Sequence, residues 1–279
     1  MLPNEEYIEQ AHLFRSIVER ISDSIPVQDL LETVRHELLA TTKLPLAIEF
    51  MLNELKHTGG FGTAMARLEH YFTPFQTFVI QQAESDHGRF DFRIAMQVLW
   101  REAEYKSKDA SPQGVFLYQF ETLCRNRLSY DFGLEAMAKD PTYDAIWSQW
   151  IYTVRRQVGL VDLADLIYVR SDFYSMKSPH SIDKTMPEEL WKPLFGEKEG
   201  RIALASRRKD PLLLFAALQR QLGYPVVPKP EPPDSTIELV PQLARRLERM
   251  EARVKFLEDE QKGGIDLTKF YMDPNRPGM

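Results

Sequence analysis

Apolar residues recur at helical spacing along the first part of the chain. In residues 4–21 they fall at intervals of three and four, and the same spacing returns after Pro26 and after Pro45. Both prolines stand where a helix is expected to begin, because the first turn of a helix needs no backbone N–H donor. A glycine pair ends the third stretch. This periodicity predicts three helices in residues 4–57.

Three later segments share a turn, an aromatic residue and an Ala-Met pair. The pairs are Ala64-Met65, Ala95-Met96 and Ala136-Met137. Their separations are uneven but fall in the range of helix-turn-helix repeats. The pattern therefore predicts an irregular antiparallel array of helical hairpins over residues 1–159.

The first of these segments resembles a tetratricopeptide hairpin. The matching positions carry aliphatic, small or aromatic residues and a final proline: Ile48, Met51, Leu52, Leu55, Gly59, Phe61, Ala64, Leu68 and Pro74. Small residues at such positions let two helices approach closely. The resemblance covers one hairpin of about 30 residues, and the next two segments differ from it in turn length. It implies an array that is only weakly tetratricopeptide-like.

The pattern changes after the helical array. Residues 166–174 and 200–207 alternate over short runs and are rich in β-branched and aromatic side chains, which is typical of strands. A helix is expected to begin at Asp210 and to end before Gly223. A small mixed α/β segment is therefore predicted over residues 160–229.

Five prolines follow within residues 225–234, where the mixed segment ends. Closely spaced prolines hold a chain extended and stiff. A spacer is favoured over a ligand for a polyproline-binding domain, because no clear basic anchor flanks the prolines. We interpret this proline-rich segment as a linker to a C-terminal helix.

Residues 235–262 combine a capping box with a heptad pattern. Ser235 and Glu238 make the capping box. Apolar residues occupy the a and d positions and charged residues the g and e positions: Val240, Leu247 and Val254 at a, Leu243, Met250 and Leu257 at d, Arg246 and Arg253 at g, Glu251 and Glu258 at e. In a parallel pair each g arginine faces an e glutamate of the partner, whereas an antiparallel pair brings like charges together.

This heptad pattern predicts a short parallel coiled coil that joins two copies of the chain through residues 235–262. The alternative is that the helix packs on its own chain. Residues 263–279 begin with two glycines and are expected to form a flexible tail.

Composition narrows the range of functions. The chain has 35 Lys and Arg against 41 Asp and Glu, and this net charge of −6 argues against a dedicated nucleic-acid binder. The single cysteine, Cys124, excludes an intrachain disulfide. No apolar run approaches the ~20 residues of a membrane helix, and the acidic N-terminus is unlike a signal peptide. We expect a cytoplasmic protein with no membrane partner.

Two Glu-x-x-His quartets are the candidates for metal chemistry. They are Glu54 with His57, and Glu84 with His87. On a helix this spacing places both ligands on one face, and paired quartets build carboxylate-bridged metal sites in helical bundles. Each histidine, however, stands close to a glycine where its helix ends, a position that the helix dipole also favours. No hydrolase or phosphate-binding motif accompanies them.

A polar group within aromatic surroundings is harder to interpret. It consists of Glu121, Arg125, Asn126, Arg127 and Asp131. These are too many charged and polar side chains for a plain core helix. They either line a groove or pair with one another between helices.

Together these patterns predict a mainly α-helical, non-enzymatic scaffold or adaptor. It would self-associate as a homodimer through its C-terminal helix and bind a protein partner through helical surfaces, without a cofactor. The alternative is a metal-dependent enzyme that uses the carboxylate/histidine quartets. A nucleic-acid-associated regulatory protein is a further alternative.

Overall fold

A computed structural model of the chain describes residues 2–21, 26–85, 90–177 and 192–230, together with Met250, Glu251 and Val254. In the described ranges the named elements are thirteen α-helices: α1 (Asn4–Arg20), α2 (Val27–Glu37), α3 (Leu44–Thr58), α4 (Phe61–Ala66), α5 (Pro74–Glu84), α6 (Phe92–Lys106), α7 (Pro112–Arg125), α8 (Tyr130–Ala138), α9 (Ala145–Gln157), α10 (Leu163–Val169), α11 (Asp172–Lys177), α12 (Glu197–Ser206) and α13 (Pro211–Leu222). The prediction of a mainly helical fold is confirmed.

Contacts divide the chain into two units, Met1–Pro230 and Glu231–Met279. All thirteen helices belong to the first unit. None of the helices in the described ranges has the length and apolar character needed to cross a membrane.

Helix starts follow local sequence signals. Six helices have a side chain that accepts a hydrogen bond from a backbone N–H of the first turn: Thr73, Asp91, Ser111, Asp144, Asp162 and Asp210. Thr73 and Gln76 form a complete capping box at α5. Each such cap satisfies a backbone donor that a helix start leaves open, which stabilises the helix by about 1 kcal/mol.

The most extensive helix pair is α1 with α6. From α1 the fully buried side chains of Leu13, Phe14 and Ile17 enter the core, and α6 contributes Met96 and Leu99 among others. Burying an aliphatic or aromatic side chain of this size contributes roughly 1.5 to 3 kcal/mol. On each of the two helices the buried residues form one face, as the helical spacing of their apolar residues predicts.

The two strand predictions within residues 160–229 are wrong. Residues 166–169 lie in α10 and residues 172–174 in α11, with an isolated bridge from Ser171 to Phe195 between the two helices, and residues 200–206 lie in α12. Asp162 caps α10, and Ala164 and Ile167, three residues apart, face the core. A short amphipathic helix and a short strand share the same residue types, so tertiary packing decides between them. The named elements in the described part of this segment are all helices, and α13 forms as predicted.

The predicted tetratricopeptide-like hairpin falls on α3 and α4, which pack against each other. Phe61 and Ala64 of α4 are buried as the pattern requires. However, α4 ends at Ala66, well before the proline that closes the pattern. The repeat and the antiparallel arrangement of hairpins stay predictions.

Close helix packing places Gly200 of α12 against the start of α11. A Cβ atom added at Gly200 would lie 2.6 Å from Ser171 Cβ and 2.8 Å from Phe173 Cβ. Both distances are shorter than real side chains allow. Only glycine therefore lets α12 approach the α10–α11 junction this closely.

Substitution Gly200→Ala is expected to lower the free energy of unfolding by about 1 to 3 kcal/mol, because the added methyl group overpacks the contact. The loss should occur although alanine is favoured over glycine inside a helix by about 1 kcal/mol. Urea denaturation measures it. The control Lys198→Ala, at an exposed site on the same helix, should change stability by no more than about 0.5 kcal/mol. An increase in stability for Gly200→Ala would contradict this account.

Candidate functional site

The first Glu-x-x-His quartet lies at the end of α3. Glu54 accepts a hydrogen bond from the Arg67 guanidinium at 2.8 Å, and His57 is exposed in the last turn. The carboxylate is thus used in an ion pair between α3 and the turn that follows α4.

The second quartet begins with Glu84, the last residue of α5. Its carboxylate accepts the backbone N–H of Phe61 at 2.6 Å and that of Gly62 at 2.8 Å. Glu84 therefore caps the start of α4, where the helix dipole favours a negative charge. Its predicted partner His87 lies outside the described residues. Among the described residues no three His, Cys, Asp or Glu side chains are grouped to hold a metal ion, so the metal site stays a prediction.

The polar group on α7 pairs internally. Arg125 donates to Glu121, and the Tyr224 hydroxyl donates to the same carboxylate at 2.8 Å. Asn126 donates to the backbone oxygen of Pro228 at 3.0 Å. Burial, together with the neighbouring Glu121 carboxylate, raises the pKa of Tyr224. These contacts fasten the extended segment after α13 to α7.

Of the remaining members of this polar group, Asp131 accepts two hydrogen bonds from Arg155 of α9, at 2.6 and 3.0 Å. Arg127 is exposed and takes a left-handed conformation just after α7, with φ of 54°. Nearby, burial raises the pKa of Cys124 to about 11. A thiol with that pKa is protonated at neutral pH and is a poor nucleophile.

A fully buried ion cluster lies where α6 meets the loop before α9. The Lys106 ammonium is 3.1 Å from Glu102 and 3.1 Å from Asp140. The exposed fractions of the three side chains are 1% for Lys106, 1% for Glu102 and 0% for Asp140. A buried charge is tolerated only when its partners and hydrogen bonds compensate for lost hydration.

Hydrogen bonds from α7 and the loop complete the cluster. Gln119 donates to Glu102 at 2.6 Å and to Asp140 at 3.3 Å. Its own amide oxygen accepts the Tyr143 hydroxyl at 2.7 Å, and Asp140 also accepts the backbone N–H of Thr142 at 2.9 Å. The cluster therefore ties α6 and α7 to the segment that leads into α9.

The cluster shifts the pKa values of its three charged groups in different directions. Burial raises the pKa of Glu102, and the single ammonium shared with Asp140 does not offset that penalty. For Asp140, burial alone would raise the pKa, but Lys106 and the hydrogen bonds from Thr142 lower it. For Lys106, burial alone would lower the pKa, but the two carboxylates raise it. The charged atoms are closed to solvent, so the cluster serves to hold α6, α7 and the segment before α9 together.

An open groove of about 440 Å³ lies between α9 and α10. Apolar side chains form most of its floor and polar ones its rim: Ile146, Gln149, Trp150, Thr153, Gln157, Val161, Asp165, Leu166, Val169 and Arg170. The turn between the two helices contains Gly159, whose φ of 85° favours glycine. From that turn the groove follows both helices.

The floor of the groove is held by aromatic packing. The ring of Trp150 lies 4.7 Å from that of Phe116, 5.3 Å from Phe195 and 5.4 Å from Trp147, measured between centroids. The segment of Phe195 is in turn hydrogen-bonded to the α10–α11 junction, where its backbone N–H donates to the Arg170 oxygen at 3.1 Å. These contacts on several sides fix Trp150, so the groove is preformed.

Exposed apolar side chains line the groove or lie beside it. Leu160 in the turn is 84% exposed, and Val161 and Val169 are each more than a third exposed. Single exposed apolar residues are ordinary, whereas contiguous exposed apolar patches are commonly sites of interaction.

A shallow depression adjoins the groove and shares Gln149 with it. It is also lined by Asp131, Tyr152, Arg155 and Arg156. Arg155 forms an ion pair with Asp131. Arg156 is exposed and donates a hydrogen bond to the backbone oxygen of Tyr152 on its own helix.

The predicted self-association seam lies mostly outside the described residues. Those outside are Val240, Leu243, Arg246, Leu247, Arg253, Leu257 and Glu258. Of the others, Met250, Glu251 and Val254 are helical and exposed. Met250 at d is 61% exposed and Val254 at a is 52% exposed.

Comparison with models of protein families, with characterised proteins and with solved structures finds no match to this chain. The geometry of the chain itself is therefore the basis for a functional conclusion.

Sequence reasoning missed both the ion cluster and the groove. Lys106 and Glu102 are four residues apart on one helix, a spacing that also occurs in exposed ion pairs. The only signal of burial was that apolar residues such as Leu99 and Ala103 share their face. The groove was missed because Val169 and its neighbours were interpreted as a strand.

We expect Glu102→Gln to become more stable relative to the wild type as the pH rises from about 4.5 to 8. The folded-state pKa of Glu102 is raised, so its contribution to stability is fully present below the unfolded pKa and is lost as the pH rises through the folded pKa. Glutamine does not titrate. Urea denaturation across this pH range measures the difference.

Glu104→Gln on the same helix is the control for that prediction. Hydrogen bonds and charge from Lys108 and Arg101 outweigh partial burial and lower the pKa of Glu104. Its contribution is therefore present at high pH and lost as the pH falls. From about pH 4.5 to 8 the stability difference of Glu104→Gln should therefore stay nearly constant while that of Glu102→Gln changes, and parallel trends of the two variants would contradict the assignment.

Proposed function

We propose that this protein is a non-enzymatic scaffold or adaptor that binds a protein partner through the groove between α9 and α10. The observation that carries the proposal is the groove itself, with an apolar floor, a polar rim and a fixed central Trp150. A preformed apolar surface loses little conformational entropy on binding, which favours affinity.

The shape of the groove favours a protein over a small molecule. Its lining residues on α9 run from Ile146 to Gln157, which spans about 16 Å at 1.5 Å per residue. Small-molecule sites enclose most of their ligand, whereas this groove is open along its length and continues onto exposed apolar residues. Long open grooves between helices are typical sites for peptide segments.

Self-association through residues 235–262 is the second part of the proposal. It is supported by the heptad pattern with opposite charges at g and e. The exposure of Met250 and Val254 adds to this, because apolar seam residues of a coiled coil remain exposed until a partner helix covers them. Two copies joined in this way would carry two grooves.

The alternatives have less support among the described residues. Glu54 and Glu84 are engaged in an ion pair and a helix cap, and the Lys106 cluster is closed to solvent. No described contact favours a nucleic-acid ligand. We also propose a cytoplasmic location, on the basis of the single cysteine.

Photo-crosslinking tests the groove as a protein-binding site. The variant with benzoylphenylalanine in place of Gln149 is produced in cells of the natural host, which are then irradiated. A discrete adduct heavier than the 32.5 kDa chain is expected. The adduct should disappear when Val161→Asp is added, because a carboxylate on the groove floor opposes apolar contact. The same probe at exposed Glu69, outside the groove, is the control. Equal labelling from both positions, or none from Gln149, would overturn the proposal.

Light scattering tests self-association. The full-length protein should have twice the 32.5 kDa chain mass, and the double variant Met250→Glu with Val254→Glu should have the mass of one chain, because charges at a and d positions oppose pairing. Arg249→Glu, at an outward c position of the heptad, is the matched control and should stay dimeric. A wild-type protein that is monomeric at every concentration would contradict the prediction.

A further inference from the structure

The buried Lys106 cluster holds more acidic groups than basic ones. Lys106 is one ammonium between two carboxyl groups, those of Glu102 and Asp140, and all three side chains are closed to solvent. If both carboxyl groups were ionised, a net negative charge would lie inside the core, away from bulk water. Two carboxyl groups that share one site resist ionising together. The charge balance therefore favours a proton on one of them.

Hydrogen bonds distinguish the two carboxyl groups. Oδ2 of Asp140 lies 3.1 Å from the Lys106 ammonium and accepts from Gln119. The Oδ1 of Asp140 accepts the backbone N–H of Thr142 at 2.9 Å, so both of its oxygens have donors. Oε1 of Glu102 has the same two side-chain donors, but its buried Oε2 has no hydrogen-bond partner among the described residues. An ionised oxygen without a partner costs far more to bury than a neutral one, which places the proton on Glu102.

The groups around Glu102 supply no second positive charge. The titratable or charged groups that face it are Lys106 of its own helix, Tyr7 of α1, Tyr118 of α7, and Asp140 and Tyr143 of the loop before α9. Burial raises the pKa of each of the three tyrosines, so these side chains stay neutral near pH 7. Burial likewise raises the pKa of Glu102, in agreement with its missing hydrogen bond.

The loop before α9 depends on this cluster. Asp140 of the loop pairs with Lys106, and the Tyr143 hydroxyl donates to Gln119 at 2.7 Å. The residue after Tyr143 caps α9. An ionised Glu102 would repel the Asp140 carboxylate and compete with it for the single ammonium. Loss of the proton therefore weakens the hold of the cluster on the loop that leads into α9.

We infer that Glu102 keeps a proton in the folded protein at neutral pH, and that loss of this proton at alkaline pH loosens the loop before α9. With the proton in place, the cluster contains one ammonium and one carboxylate and is neutral. Deprotonation releases one proton from the Glu102 carboxyl to the solvent and leaves the other groups unchanged. This pH-dependent control of α9 is independent of whether the groove binds a partner.

Carbon-13 NMR tests the bound proton. The full-length protein is labelled at the side-chain carboxyl carbon of glutamate, which resonates at different positions in the protonated and ionised states. At about pH 7 ordinary glutamates are ionised, and one resonance should remain at the protonated position. It should be lost in Glu102→Gln and kept in Glu104→Gln. A wild-type spectrum without a protonated glutamate, or a protonated resonance that persists in Glu102→Gln, would overturn the inference.

Amide hydrogen exchange, corrected for its intrinsic pH dependence, tests the effect on α9. Opening of the loop lets Glu102 ionise in solvent, so the opening constant of the α9 amides should rise about tenfold per pH unit above about pH 5.5. The rise should level off once the folded protein has lost the proton. Glutamine does not titrate, so Glu102→Gln should show no such rise.

The amides of α3, which contributes no residue to the cluster, are the internal control and should keep a constant opening constant over the same pH range. A flat profile for α9 in the wild type would overturn the effect on α9. An equal rise in α3 would do the same, because proton release would then accompany unfolding of the whole unit. The wild-type spectrum and pH profile decide both parts of the inference even if Glu102→Gln does not fold.

Discussion

The buried Lys106 ammonium constrains the structure around it. Its hydration is lost, so the fold must keep two carboxylates within 3.1 Å and must hold them with Gln119 and the loop at Thr142. Removing one partner of such a cluster typically costs 3 to 5 kcal/mol. These bonds join α6, which packs along α1, to α7 and to the loop that enters α9. The direction in which α9 leaves the core therefore depends on them.

Two contacts connect the Lys106 cluster to helix α9, which forms one wall of the groove. Tyr143 donates to Gln119 in the cluster, and the next residue, Asp144, caps α9. From there α9 carries Trp150 into the aromatic packing with Phe116 and Phe195. If the groove binds a partner as proposed, a rigid wall of this kind sets the binding surface before that partner arrives. If two copies pair through their C-terminal helices, each assembly carries two such walls, and a bivalent partner gains affinity where the linker can span them.

Prediction from sequence succeeded where the information is local. Helix starts carried capping side chains and prolines, and α1 to α3 and α13 form where periodicity placed them. It failed at 166–174 and 200–207, where β-branched and aromatic residues favoured strands. Those runs are too short for periodicity to separate a strand from one or two helical turns. Contacts made by Ala164, Ile167 and Ala203 with the core decide the outcome.

The sequence by itself determined the helical class, most helix starts, the mild negative charge and the heptad pattern near the end, because each depends on residue type and spacing within one element. Only the tertiary structure decided that Lys106 is buried, that Glu84 caps a neighbouring helix, and that α9 and α10 enclose a groove. The physical reason is the same in each case. A buried ion cluster or a groove is made by side chains from different elements, and their proximity depends on how the whole core packs.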